Sequence, residues 1–252
     1  MRHWMLRSAG LLLLGAGWEI VARLHPVAYL PAPSAILARL AALIADGTLV
    51  GNAKTSLAAL VEGLALANVV AIAATVACRR FYGIRLAFEP VVESVRGLPP
   101  LALLPAFLLL FGIGLKSELA MILWVAWPPI FVNLMQGVDE VDPRLIEAAR
   151  SMNASDAKIF RDVIAPSTAP YYVAGLRLAA GAGLLVLVAA EMLGASSGIG
   201  YFVLETSQSF HITDTYSAVA LLGIIGITMN AAINRVAWIC LPWRRAAKYE
   251  WQ

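Results

Sequence analysis

Apolar residues dominate six stretches of this chain, with shorter polar segments between them. Windows of strong hydropathy cover residues 6–24, 56–77, 88–111, 117–137, 169–193 and 214–240. Each is close to the roughly 20 residues that carry a helix across the hydrocarbon of a bilayer. None shows the two-residue alternation of a membrane barrel strand. The pattern predicts an all-α integral membrane protein of about six transmembrane helices, organised as a single domain over residues 1–252.

The breaks in the pattern predict local features. Residues 26–33, PVAYLPAP, end the first span. The following SAILARLAALIAD, residues 34–46, reads as a helix capped by Ser34 and too short to span, lying along the interface. Pro99, Pro100 and Pro105 interrupt the 88–111 stretch. Proline deletes backbone hydrogen bonds that lipid cannot replace, so this span is expected to be kinked and to face protein or a water-lined path.

The longest polar interruption covers residues 138–168. Asp142 and Pro143 form a helix start, with Asp142 as cap and Pro143 in the first helical position. Leu145, Ile146, Ala148, Ala149 and Met152 then fall broadly on one side, and Arg144, Glu147, Arg150 and Ser151 on the other. Asn153 is the expected stop, because Asn tolerates a left-handed backbone better than most residues. Ser155 caps a second helix with Asp156 in its first turn, and Pro166 is expected to end it. Ile159, Phe160, Val163 and Ile164 are the apolar stripe of that helix. Two short amphipathic helices at an angle expose Ala148, Ala149 and Ala154 beside Phe160. Such a surface suits a groove in a partner protein; a lipid anchor would carry more Lys, Arg and bulky apolar residues. A solvated connector packed on its own bundle is the other reading.

Composition reinforces the membrane assignment: 60% of residues are hydrophobic and 14% charged, and mean hydropathy is +0.77. The net charge of +3 matters less than where the cations fall. Arg2, Arg7, Arg79, Arg80, Arg85, Arg144, Arg150, Lys158, Arg161, Arg235, Arg244, Arg245 and Lys248 belong to one set of connecting segments. Arg23, Arg39, Lys54 and Lys116 belong to the opposite set. Thirteen against four places both termini and the 138–168 segment in the cytoplasm. The opening MRHWMLRSAGLLLLGAGWEI has the charge and apolar core of a signal peptide, but no cleavage site follows and Glu19 and Arg23 come directly after. It reads as a retained first helix.

Catalytic and nucleotide-binding patterns are missing from the sequence. Lys54, Lys116, Lys158 and Lys248 follow Ala, Leu, Ala and Ala, which rules out a G-x-x-x-x-G-K-[ST] phosphate loop. No G-x-S-x-G or H-E-x-x-H occurs, and His3, His25 and His211 are isolated. Cys78 and Cys240 form no metal or redox motif. Neither enzyme chemistry nor nucleic-acid binding is expected. Ionisable and polar groups within the spans are the candidates for a translocation path. Arg96, beside Pro99 and Pro100, would attract an anion, and Glu93 on the neighbouring turn would neutralise it. Arg177 and Glu191 serve either the path or helix packing. Asn133, Ser196 and Ser197 complete the set, the serines in a GASSGIG loop read as flexible.

Glu147-Ala148-Ala149, the turn residue Asn153, and Pro166 after an apolar pair resemble the EAA signature of the membrane-spanning permease subunits of type I ABC importers. LPAPSAILARL (30–40), VRGLPPLALLPAFLLLFGIG (95–114), VDPRLIEAARSMNAS (141–155) and AEMLGASSGIGYFV (190–203) resemble the nitrate/sulfonate/taurine-type branch. The resemblance implies the type I importer permease fold, with cytoplasmic coupling helices that insert into a cleft of an ATPase subunit. Glu147, Ala148, Ala149, Met152, Asn153, Ala154, Ser155, Ile159, Phe160 and Pro166 would be the coupling residues. It further implies a bacterial inner-membrane location, a second permease copy (a homodimer), two cytoplasmic ATPase subunits and an extracytoplasmic binding protein. The solute would be a small anion such as a sulfonate, taurine or nitrate. ATP and Mg would bind the ATPase, with no cofactor in this chain. Two positions depart from the signature: Asn153 stands where Gly is usual and Ala165 where Leu is usual. A self-sufficient secondary carrier is the main alternative, and a non-anionic solute such as a pyrimidine precursor is another. A scaffold or enzyme subunit would leave residues 142–166 unexplained.

Overall fold

The computed structural model describes residues 2–243 apart from 26 and 28, without the side chains of residues 2–9 and 11. The side chains of Arg2, His3 and Arg7, part of the PVAYLPAP segment, and the basic tail with Arg244, Arg245 and Lys248 lie outside the described residues. Every regular element among the described residues is helical. The order is α1 (Arg2–Leu24), α2 (Pro33–Ala45), α3 (Thr48–Arg80), α4 (Tyr82–Gly97), α5 (Pro100–Phe111) and α6 (Leu115–Asp139). There follow α7 (Pro143–Ser151), α8 (Asp156–Ile159), α9 (Ala165–Gly194), α10 (Ile199–Gln208) and α11 (Ile212–Cys240). A π-helical turn, Phe160–Ile164, joins α8 to α9.

Among the described residues, four helical runs are long and apolar enough to cross a membrane: Thr48–Arg80, Leu115–Asp139, Asp156–Gly194 and Ile212–Cys240. The pair α4 and α5 makes a fifth if counted as one bent span. The expected first span falls on α1, a 23-residue helix that does not join that set among the described residues.

Three local expectations change. The 88–111 stretch is broken more sharply than a kink: two helices meet there at 100°, as a broken span or a re-entrant loop. Leu98 and Pro99 are extended (ψ 131° and 114°), because a residue before proline is pushed out of the helical region, and Pro100 then opens α5. Ser34 does not cap α2, whose cap position is Ala32; instead Glu19 of α1 accepts from the Ser34 amide at 2.9 Å and its hydroxyl at 2.6 Å. A carboxylate from another helix thus serves the α2 N-terminus. Finally, Pro166 does not end a helix: α8 runs through the π turn into α9 as one 39-residue run. Proline in the first turn of α9 has no N–H to leave unpaired, and the preceding wide turn carries the helix past it.

The core is α6 with α3 and α9 packed along it, filled by Leu60, Ala67, Ile122, Ala126, Ile130, Ala179 and Leu187. Without a strong hydrophobic force inside lipid, small residues that let backbones approach closely stabilise helix pairs. A Cβ at Gly175 of α9 would lie 2.8 Å from the Pro129 carbonyl oxygen of α6, so only glycine fits this crossing. Paired charges fasten the ends. Arg85 of α4 forks Asp139 at the end of α6 at 2.9 and 2.7 Å. Arg39 of α2 forks Asp214 at the start of α11 at 2.5 and 2.9 Å.

Candidate functional site

The 138–168 segment is anchored before it is shaped. Glu140, just past α6, accepts hydrogen bonds from the Tyr171 hydroxyl of α9 and from Gln136 Nε2 at 2.9 Å. The Tyr171 bond, then the Gln136 bond, hold the Glu140 carboxyl below its ordinary range. Asp142 Oδ1 then accepts from the Arg144 amide at 2.9 Å and Pro143 opens α7. Asn153 is left-handed, at φ 56°, with its amide donating to Arg150 O at 2.9 Å. The Ala154 amide donates to Ala149 O at 3.1 Å. These two bonds close the C-terminus of α7, and the Ser155 hydroxyl accepts from the Lys158 amide at 3.4 Å to open α8.

The corner presents a mixed surface. Met152 is 76% exposed and Phe160 57% exposed, and Glu147, Ala148 and Ser155 are also exposed. Ala149, expected on the exposed face, is instead turned inward and buried with Ile159, and Ala154, also expected exposed, is half-buried like Pro166. A groove of about 550 Å³ runs beneath α7, lined by Leu145, Ala148, Met152, Val163, Pro166 and Trp243. The sequence-predicted corner residues are therefore contiguous.

The intramembrane candidates do not share one cavity. Arg96 Nη1 donates to Glu93 Oε1 at 3.0 Å, and both side chains are exposed. Arg96 and Pro100 line a cavity of about 180 Å³ with Trp124, whose buried Nε1 has no hydrogen-bond partner among the described residues. Pro99 is exposed at the α4–α5 bend, as are Gly97 and Leu98. Asn133 Nδ2 donates to Pro129 O of its own helix at 2.8 Å. Arg177 Nε donates to Asn230 Oδ1 at 3.0 Å, joining α9 to α11.

Glu191 is only 1% exposed, and its carboxylate organises the far end of the bundle. It accepts from the Ser56 hydroxyl of α3 at 2.5 Å and from the Gly200 amide at 2.7 Å. Ser56 Oγ also accepts from the Ile199 amide at 2.8 Å, and Asn52 Oδ1 from the Gly198 amide at 2.8 Å. The unpaired amides that begin α10 thus find acceptors on α3 and α9. Gly198 is at φ 116°, and a Cβ there would lie 2.5 Å from the Glu191 carboxyl. The C-terminal half of the GASSGIG loop, Gly198 to Gly200, is thus tied by its amides to α3 and α9.

Sequence reasoning missed Glu118, Glu62, Ser56, Asn52 and Trp124. Glu118 is 6% exposed and lines a cavity of about 220 Å³ with Glu62, Thr55, Ser196 and Ser197. An acidic residue inside an apolar window is the signal that would have found both glutamates.

Residues 67–245 match the family model described as "Binding-protein-dependent transport system inner membrane component". A probable ABC transporter permease protein of Brucella abortus is 30% identical over 231 residues, covering 92% of this chain and 92% of the relative. The taurine transport system permease protein of Escherichia coli is 31% identical over 250 residues, covering 96% of this chain and 90% of that protein. Among solved structures, an inward-facing form of the MetNI methionine ABC transporter superposes with a TM-score of 0.65 at 20% identity, covering 75% of this chain and 94% of that one. At that identity the likeness speaks for the fold.

Proposed function

This chain belongs to the family of binding-protein-dependent transport system inner membrane components and is the permease subunit of an ABC importer for a small solute, and from that premise we propose how it works. Two copies enclose the path, each docks one ATPase at the α7–α8 corner, and an extracytoplasmic binding protein delivers a small, anionic solute of the sulfonate, taurine or nitrate type. The chain itself is non-catalytic; ATP and Mg belong to the ATPase.

The observation that carries this reading is the continuity of the corner with the core. Met152 and Phe160 stand exposed on a turn pinned by Asn153, and Phe160 begins the π turn of a helical run that continues unbroken to Gly194. A displacement applied to residues 142–166 by closing ATPases therefore moves α9 as a rod. Because α9 packs against α6 and α3, the bundle follows as a unit. Glu147, Ala148, Met152, Ser155 and Phe160 meet the ATPase in this scheme. Ala149, Asn153, Ala154, Ile159 and Pro166 hold the corner in shape. Arg96, with the free Trp124 N–H in the same cavity, offers donors to an anion. The cation count supports a cytoplasmic corner and cytoplasmic termini.

Co-purification and reconstitution test the reading. The complex of this chain with ATPase subunits and binding protein should drive ATP-dependent solute uptake into liposomes. Uptake by this chain alone, without an ATPase, would overturn it.

A further inference from the structure

We infer that the cavity between α3, the start of α6 and the loop at Ser196 and Ser197 receives a protonated amine of the passing solute. This rests on the importer reading and adds that the solute is zwitterionic, with an ammonium group as well as an anionic one.

Glu118 is more than nine-tenths buried, lines this cavity of about 220 Å³, and has no hydrogen-bond or ion-pair partner among the described residues. Glu118 stands in the first turn of α6, whose N-terminus favours its charge, but a buried carboxylate with no hydrogen-bonded or ion-paired side-chain partner is still costly and normally finds one. Neighbouring charges do not supply one. Glu62 lines the same cavity, and the nearby Glu191 carboxylate is already occupied by Ser56 and Gly200. Lys54 and Lys116 form no ion pair with either cavity glutamate among the described residues. The remaining polar lining is hydroxyl: Thr55, Ser196 and Ser197. Two carboxylates with hydroxyl acceptors match the three donors of an ammonium group. They repel a sulfonate or nitrate. A metal ion fits less well, since no group of three or more His, Cys, Asp or Glu side chains is placed to ligate one among the described residues. The solute's anionic end would meet donors elsewhere, as at Arg96.

Two measurements test this. In the first, the lipid-reconstituted chain is perfused with ethylammonium chloride against sodium chloride at equal ionic strength, and carboxyl stretching bands are followed by infrared difference spectroscopy. An ammonium-specific carboxyl change is expected, lost in Glu118→Gln and weakened in Glu62→Gln, an exposed site where folding is not at stake. Absence of that change in the wild-type chain overturns the inference, whatever the chain transports. In the second, the full complex takes up taurine or ethanesulfonate. Glu118→Gln should lower taurine uptake by about tenfold or more and leave ethanesulfonate within about twofold. Equal effects on both solutes overturn the inference. A wild-type complex without ATP-dependent uptake of either sinks the sulfonate and taurine assignment of the solute instead, and the infrared result is then read separately.

Discussion

The Ser56 hydroxyl donates to the Glu191 carboxylate at 2.5 Å, although the two residues are 135 positions apart in the chain. Ser56 Oγ also accepts the Ile199 amide, so one hydroxyl joins α3, α9 and the start of α10. Removing it leaves a buried carboxylate and a buried amide each short of a partner. Ser56→Ala should lower stability by about 1–3 kcal/mol, read as an earlier thermal unfolding midpoint in detergent. An unchanged midpoint would show that water replaces the hydroxyl.

Gly175 and Pro129 set the α6–α9 crossing. Ala at position 175 would place its Cβ 2.8 Å from the Pro129 carbonyl, so the helices must separate. Gly175→Ala should destabilise by about 1–3 kcal/mol, and Gly175→Leu should abolish stable expression. Size-exclusion profiles and thermal scans of the purified variants measure both.

Asn153 holds a left-handed backbone that glycine adopts without strain. Asn153→Gly should therefore keep ATPase binding and transport at wild-type level or above. Asn153→Val, β-branched at a positive φ, should strain the corner by about 1–2 kcal/mol and weaken ATPase association roughly five- to thirtyfold if that strain is relieved in the free chain. A pull-down titration distinguishes the pair, and equal affinity of Val and Gly variants would refute a shaping role for this turn.

Phe160 is the aromatic among the large exposed apolar side chains of the corner, beside Leu145 and Met152. If it seats in an ATPase groove, Phe160→Ala should weaken association by about 2 kcal/mol or more, as interface anchors do, while leaving the permease's own unfolding midpoint within a degree or two. A comparable loss in both quantities would mean that Phe160 packs on its own bundle.

Glu140 supplies a pH dependence. Its folded-state carboxyl is held below its ordinary range chiefly by the Tyr171 hydroxyl, so the stabilisation it gives is present above the unfolded-state value. That stabilisation fades as pH falls through the lowered folded-state value. Tyr171→Phe removes the larger hydrogen bond and should flatten the acid limb of the stability profile with little effect at alkaline pH. A profile that keeps its acid limb in the variant would assign that limb to other carboxylates.

Much of this protein is determined by local sequence. Hydropathy alone gives an α-helical membrane protein, because lipid offers no partner for an unpaired backbone amide and so enforces helices. Asp142, Pro143, Asn153 and Ser155 specify the corner, because caps, first-turn prolines and left-handed turns each act within four residues. Where interactions reach further, tertiary structure decided. The α4–α5 bend of 100° was legible as a break at Pro99 and Pro100 but not as an angle, since the direction of the chain after an extended Leu98–Pro99 pair depends on what it packs against. Glu19 finding Ser34, Arg39 finding Asp214, and Glu191 finding Ser56 are pairings that no spacing rule encodes. Pro166 reads as a helix end, yet the chain passes through it by widening one turn, a choice made by the packing of α9 on α6 and not by propensity. The cavity at Glu118 exists only once α3, α6 and the loop after α9 converge, because a site built from three segments has no local signature.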